Sequence, residues 1–141
     1  KVRVIGLSMD RGAAMHAALA AGRPVEVTEV ASLADSLGGG IGQDNRLTFA
    51  LCRDLLDDVV LVTEAEIYRA LQTVYYQDRI VCEGACVVGV AALLAGKIAL
   101  DGPTATIITG RNLDMRVHAD IMQGRDVTLG DLTLEGRPYA P

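Results

Sequence analysis

The sequence predicts an α/β fold, a mainly parallel sheet covered by helices on both faces. Two observations point there. Short, nearly continuous apolar runs, such as those at 59–62 and 104–108, alternate with longer stretches of helical periodicity, and strands buried on both faces read that way. Half of the 141 residues are hydrophobic and 22% are charged, which suits one folded domain spanning 1–141 with a sizeable core.

The elements follow in order. Residues 2–8 read as a strand already under way at Lys1, with no initiator methionine, so the chain is expected to be a piece of a longer one. Residues 11–21 form an alanine-rich helix stopped by Gly22 and Pro24. Residues 25–43 are irregular. A helix runs from Asp44 or Asn45 to Asp57, with Leu47, Ala50, Leu51 and Leu55 on one side. Residues 59–62 make a short strand.

Thr63-Glu64-Ala65-Glu66 is a capping box: the threonine accepts from the N3 amide while Glu66 reaches back to the threonine amide. The helix it opens carries Ile67, Leu71 and Val74 as a core-facing stripe. Residues 80–83 read as another short strand. Residues 85–95 are apolar nearly all round, so they predict an interior helix ended by Gly96. Residues 104–108 are a buried strand leading into Thr109-Gly110-Arg111-Asn112, and the last 25 or so residues show no clear pattern.

The totals exclude several classes. A net charge of −5 at pH 7 without a clustered basic stripe argues against nucleic acid or an anionic membrane as partner. No apolar run has transmembrane length, and the opening residues lack the layout of a signal peptide. Cys52, Cys82 and Cys86 are an odd set, which fits small buried thiols in a reduced, cytoplasmic protein better than a disulfide framework. His16 and His118 lie too far from the cysteines in sequence for a zinc spacing.

In such sheets ligands collect at the carboxyl ends of strands, and the polar groups there are Glu83-Gly84 and Thr109 to Asn112. Thr109 is suited to aim a hydroxyl out of the sheet edge, with Gly110 leaving room for a planar ligand. Arg111 fits an anion ligand and a solvated charge equally. Glu83 fits equally a carboxylate stabilised by the following helix N-terminus and a group that orients a ring. Asp35-Ser36 reads as a local cap or turn. The run LGGGIG at 37–42 matches neither nucleotide-binding spacing and follows no strand, so a flexible turn explains it better than a phosphate loop.

Taken together, the runs ASLADSLG, LLDDVVLVTEAEI, IVCEGACVVGVAALLAGKI and ATIITGRNLDM resemble, in order, four patterns of the fold-type II pyridoxal-phosphate enzymes. These are the threonine/serine dehydratases and their serine racemase relatives, with a tryptophan-synthase-β-like large domain. The likeness covers about 1–115, leaving 116–141 as a C-terminal tail. Within the group, the LADSLGGGIG and TGRN forms are most similar to the dehydratases of ectoine and hydroxyectoine utilisation.

The resemblance implies a cofactor, pyridoxal 5′-phosphate, and a cofactor-binding set. Thr109 takes the place of the hydroxyl facing the pyridine nitrogen, and Gly110 and Asn112 complete that turn. Glu83 is the acid beside the ring, and Asp35 and Ser36 stand where the family has Asp-Gly. It also implies loss of water from a small β-hydroxy amino acid such as threonine or serine, giving a 2-keto acid and ammonia, in what is usually a homodimer. A neutral hydroxyl at the ring nitrogen leaves it largely unprotonated, which favours elimination over transamination.

The departures are equally specific. The family's Schiff-base lysine and its phosphate loop precede the strand that opens this chain. The only lysines are Lys1 and Lys97, and Lys97, after Gly96, suits a solvated charge. No catalytic residue is therefore assigned here, and the isolated chain is expected to be inactive. Leu7 and Ala13 occupy the places of the acids that bind a divalent cation in some relatives, so no metal site is expected. Cys86 and Val87 replace residues usually kept small and could narrow the space beside Glu83. Cys86 and Arg111 motivate a different reading, a non-catalytic binding or assembly module. An amino-acid racemase and a flavodoxin-like nucleotide binder are further alternatives.

Overall fold

The computed structural model describes residues 2–140; Lys1, as a strand residue and as a lysine, lies outside them. Strand β1 (Ile5–Met9) pairs in parallel with β2 (Asp58–Val62), Ile5 opposite Asp58 and Met9 opposite Val62. Between them lie helix α1 (Ala14–Ala21), a 3₁₀ turn (Asp35–Leu37) and helix α2 (Leu47–Leu55). Helix α3 (Glu64–Thr73) follows β2 and runs into a π-helical turn (Val74–Asp78). A 3₁₀ turn (Gly84–Val87), helix α4 (Val88–Leu94), helix α5 (Met115–Met122) and a hairpin of β3 (Val127–Leu129) and β4 (Leu132–Leu134) complete the chain.

The capping box forms as expected: the Glu66 N–H donates to Thr63 Oγ1 at 3.2 Å and the Thr63 N–H to Glu66 Oε2 at 2.7 Å. It starts α3 immediately after β2, and α3 is the spine of the core. Ile67, Leu71 and Val74 are buried as a stripe, against Val87, Ala91 and Ala92 of the following segment. Small residues there let α4 lie close on α3, β1 and β2.

Two expected strands are not strands. Residues 80–83 and 104–108 join no ladder, so the parallel sheet has two strands among the described residues. A run of apolar residues becomes a strand only where a neighbouring edge can satisfy its backbone. Residues 104–108 instead lie against α4, where a Cβ added at Gly89 would come within 2.9 Å of Thr106 Cβ, and Ile107 is 78% exposed.

Other boundaries differ too. Helix α1 begins at Ala14, not at 11, because Gly12 takes a left-handed conformation. The apolar row Leu47, Leu51 and Leu55 of α2 is exposed, and Phe49 is the buried residue of that helix. Asn45 takes the Phe49 N–H at 2.9 Å, which holds the start of α2. The expected interior helix at 85–95 is split into the Gly84–Val87 turn and α4.

The tail is ordered, contrary to its unpatterned sequence. Gln72 of α3, 1% exposed, donates to Ile121 O and Arg137 O, each at 2.8 Å. Tyr68 and Tyr76 hydroxyls donate to Arg125 O and Met122 O at 2.9 and 2.6 Å. These side-chain bonds fasten α5 and the last residues onto α3, and no hydropathy pattern announces them. Lys97 is likewise more than a solvated charge: Nζ donates to Leu61 O at 2.9 Å and to Glu66 Oε2 at 2.7 Å, bracing the capping box.

Candidate functional site

The site is assembled from three segments that are distant in sequence. The first, at 32–38, is fixed to the start of α3. The Leu33 N–H donates to Glu64 Oε2 at 2.8 Å, Ser32 Oγ accepts from the Ala34 N–H, and Ala34 is fully buried. Asp35 and Ser36 therefore sit on a short turn whose base is anchored. Glu64 is itself buried, and its Oε1 has no hydrogen-bond partner among the described residues.

The second segment is Glu83 to Val87. Its close approach to the first requires Gly84, since a Cβ there would penetrate Leu33 O and come within 2.6 Å of Leu33 C and 3.1 Å of Ala34 N. The third is the turn from Thr109 to Asn112. Glu83 ties second to third at two points: its N–H donates to Gly110 O at 3.2 Å, and its Oε2 accepts the Asn112 N–H at 2.9 Å. Gly110 is packed so tightly that an added Cβ would meet Glu83 Oε1 at 3.3 Å.

Cys86 joins the same pair of segments. It is 2% exposed, and its Sγ accepts the Gly110 N–H at 2.8 Å and lies 2.9 Å from Gly110 O and 3.1 Å from Thr109 Oγ1. The sulfur is thus folded into the turn. It does not project into the space beside Glu83, contrary to the expectation from its size. Cys82, Cys86 and Cys52 are all unpaired, the first two buried. Burial, with Cys86 and Glu83 nearby, pushes the Cys82 thiol up to about 11.

All six residues expected at the site fall in this assembly. Asp35, Ser36, Glu83 and Asn112 line one cavity of about 300 Å³. Thr109 and Gly110 are not among its walls but connect to it through Glu83 and Cys86. Arg111 is exposed, and its carbonyl accepts the Leu113 N–H at 3.1 Å. Leu37 ends the 3₁₀ turn, residues 38–42 form an irregular loop, and α2 begins only at Leu47, so no helix N-terminus follows the glycines directly.

Asp114 and His118 also line the cavity; Asp114 stands within the run ATIITGRNLDM but was not picked out there, and His118 lies beyond the resemblance. Asp114 caps α5, its Oδ1 accepting the Arg116 N–H at 2.8 Å. Hydrogen bonds from the Arg116 side chain and then from its N–H hold the Asp114 carboxyl down at about 2. His118 is buried, with Nε2 unpartnered among the described residues, and burial lowers its pKa. The spacing of Asp114, Val117, His118, Ile121 and Met122 is helical and would have signalled this element.

A hydroxyl-bearing turn, an acid clamped to it and a segment packed through Gly84 against residues 33–34 meet beside one cavity of an α/β fold. Comparison with known proteins identifies its class. Residues 1–110 match the family "Pyridoxal-phosphate dependent enzyme", and the chain belongs to that family. It is 53% identical over 123 residues to a Sinorhizobium fredii protein named "Putative threonine dehydratase", covering 86% of this chain and 37% of the relative. It is 32% identical over 130 residues to an L-threonine ammonia-lyase of Geobacter sulfurreducens, covering 92% of this chain and 32% of that one.

Among solved structures, threonine deaminase isoform 2 of Solanum lycopersicum superposes with a TM-score of 0.73 at 26% identity, over 86% of this chain and 36% of that one. Maize serine racemase gives 0.70 at 25%, over 81% and 36%. The fold is that of the fold-type II pyridoxal-phosphate enzymes, and the chain spans roughly a third of the length of these relatives.

The residues present fit one edge of a pyridoxal ring. Thr109 offers an exposed hydroxyl whose partner within the described chain is Cys86, and Gly110, packed against Glu83, adds no side chain of its own beside it. The covalent anchor is not supplied by the described residues, because the amine of Lys97 is engaged by Leu61 O and Glu66.

Proposed function

We propose that this chain forms the ring-side wall of a pyridoxal-phosphate-dependent dehydratase acting on a β-hydroxy amino acid such as threonine or serine. The products are a 2-keto acid and ammonia. The observation that carries this reading is the convergence of residues 35–36, 83–86 and 109–112, with Glu83 bonded to both Gly110 and Asn112. Bound pyridoxal phosphate supplies the electron sink that stabilises negative charge on the substrate's α-carbon. Thr109 supplies a neutral partner for the ring nitrogen. Glu83 fixes the turn that carries Thr109, and the Asp35-Ser36 backbone closes the cavity from the other side.

The described residues include no amine free to hold the cofactor, so we propose that the chain works only within its full-length enzyme. Relatives named threonine dehydratase and L-threonine ammonia-lyase support the substrate class. The LADSLGGGIG and TGRN forms support a role in ectoine utilisation, in a cytoplasmic homodimer. Separate assays with threonine, serine and an ectoine-derived hydroxy amino acid decide among these substrates. Likeness to the serine racemases of maize and Dictyostelium discoideum favours racemisation as the second reading; chiral analysis of residual serine separates the two.

The testing variant is Thr109→Asp in the full-length enzyme. A carboxylate at that place holds a proton on the ring nitrogen, so elimination should fall and transamination rise, by about ten-fold in their ratio, the equivalent of roughly 1.4 kcal/mol. An unchanged ratio would mean that Thr109 does not face the ring nitrogen.

A further inference from the structure

A loop serves as a wall only where its orientation is fixed as well as its depth. In the segment 32–38, which carries Asp35 and Ser36, apolar packing sets the depth: Ala34 is fully buried, and Leu33 and Leu37 pack against the core. Its hydrogen bonds stay mostly inside the segment. The Ala34 N–H donates to Ser32 Oγ at 2.9 Å, the Leu37 N–H to Ala34 O at 2.8 Å and the Gly38 N–H to Asp35 O at 2.8 Å. Among the described residues, one bond leaves the segment for another element, from the Leu33 N–H to Glu64 Oε2 at 2.8 Å.

Glu64 is built to hold that bond. It is the first residue of α3, next to the Thr63–Glu66 box, where the positive end of the helix favours a carboxylate. It is 5% exposed, so water competes little, and a carboxylate binds a backbone N–H about twice as strongly as a neutral acceptor does. Its Oε1 has no partner among the described residues. Burying a half-satisfied acid costs free energy, so packing alone does not explain it. The carbonyl of Leu33 is occupied as well, since it lies where a Cβ on Gly84 would penetrate it. Leu33 is therefore gripped through its N–H by α3 and at its carbonyl by the segment that carries Glu83.

We propose that Glu64 is a positioning residue for Asp35 and Ser36. By fixing Leu33 it sets how the turn that follows presents these two residues to the cavity they share with Glu83 and Asn112. The inference rests on the reading of Asp35 and Ser36 as part of the cofactor wall. It gives the site two acids with parallel tasks. Glu83 holds one turn through the Asn112 N–H, and Glu64 holds the other through the Leu33 N–H.

The experiment uses the full-length enzyme as wild type, Glu64→Ala, Glu64→Gln and Glu64→Asp. Amide hydrogen exchange of the cofactor-free protein reads the anchor directly. In Glu64→Ala the amides of Leu33, Ala34 and Leu37 should exchange at least about ten-fold faster, the effect of one bond to a charged group, while that of Leu71 in the core of α3 keeps its rate. Titration with pyridoxal phosphate reads the wall: its dissociation constant should rise about five-fold in Glu64→Ala, because the cofactor must then order the turn. Glu64→Gln keeps a neutral acceptor in place and should restore both readings most of the way.

Unchanged exchange at Leu33, Ala34 and Leu37 in Glu64→Ala overturns the role of Glu64 and leaves the reading of Asp35 and Ser36 standing. Faster exchange there with an unchanged dissociation constant overturns both. Acceleration of Leu71 by the same factor means that Glu64 supports the fold at large, and this too overturns the proposal. Should Glu64→Ala fail to fold, Glu64→Asp decides alone. It keeps the charge at the start of α3 but draws the carboxylate back from Leu33 by one methylene. Faster exchange at 33–37 with a raised dissociation constant supports the proposal, and wild-type values of either overturn it.

Discussion

Gly84→Ala tests whether contact between two loops builds the site. Gly84 lies against the backbone of residues 33–34, and a methyl group there would penetrate Leu33 O while lying 2.6 Å from Leu33 C and 3.1 Å from Ala34 N. Ordinary carbon contacts are about 3.5 Å or more, so one backbone must retreat by roughly 1 Å. Neither is free to do so. Leu33 is held by Glu64 Oε2 at 2.8 Å, and Glu83 is held at both ends by Gly110 and Asn112. Overpacking against backbone costs about 1–3 kcal/mol, and loss of the bond to the buried Glu64 carboxylate adds about 1–3 kcal/mol. A destabilisation of about 3 kcal/mol is therefore expected. Urea unfolding of the full-length protein measures it, and Gly40→Ala is the control, since nothing lies within 4 Å of a Cβ there. Substrate KM should rise together with the loss of stability, because Asp35 and Ser36 move with Leu33. A Gly84→Ala protein within about 0.5 kcal/mol of the control, the usual scatter of a surface substitution, refutes the close approach and with it the joint cavity.

The tail and the capping box give two further outcomes. Gln72→Leu leaves Ile121 O and Arg137 O without their buried donor and should destabilise by about 2–4 kcal/mol, with faster amide exchange in residues 115–137. The Glu66 carboxyl is pushed up by burial but held below its ordinary 4.5 by the stronger sum of hydrogen bonds from Lys97 and Thr63. A depressed carboxylate contributes stability that is full above the unfolded value and lost as pH falls through the folded one. Lys97→Met should therefore flatten the acid limb of the stability profile below about pH 4.5, and an unchanged limb would mean that the Lys97 bridge carries no weight.

What the sequence made legible follows from range. Local rules held where the deciding contacts lie within a turn or two of helix. The Thr63–Glu66 box needs only four residues and formed as read, as did the stripe of Ile67, Leu71 and Val74. Rules that need a distant partner failed. Residues 104–108 have the composition of a buried strand but meet α4 in place of a neighbouring strand. The leucine row of α2 has the spacing of a core face yet is exposed, while Phe49, between its members, is buried. The tail is held by Gln72, Tyr68 and Tyr76, polar side chains whose targets are carbonyls 46 to 65 residues away.

The site follows the same division, but with a different remedy. Asp35, Ser36, Glu83, Thr109, Gly110 and Asn112 were picked out by the order of their motifs, and the three segments that carry them lie together, a proximity that no local pattern contains. Asp114 stood inside the last motif and was passed over, and His118 lay beyond it. Cys86 was seen and misjudged, because size alone was considered. In an apolar site an extra atom would subtract space, but a sulfur that can accept from one backbone group and donate to another becomes part of the wall. It sits where a smaller residue would leave the Gly110 N–H without that partner, and a buried unpaired donor is costly. The substitution therefore adjusts the turn's hydrogen bonding. Any neighbour of Thr109 that lacks such a group must satisfy the turn another way, so position 86 and the residues at 109–111 should be exchanged together when this site is redesigned.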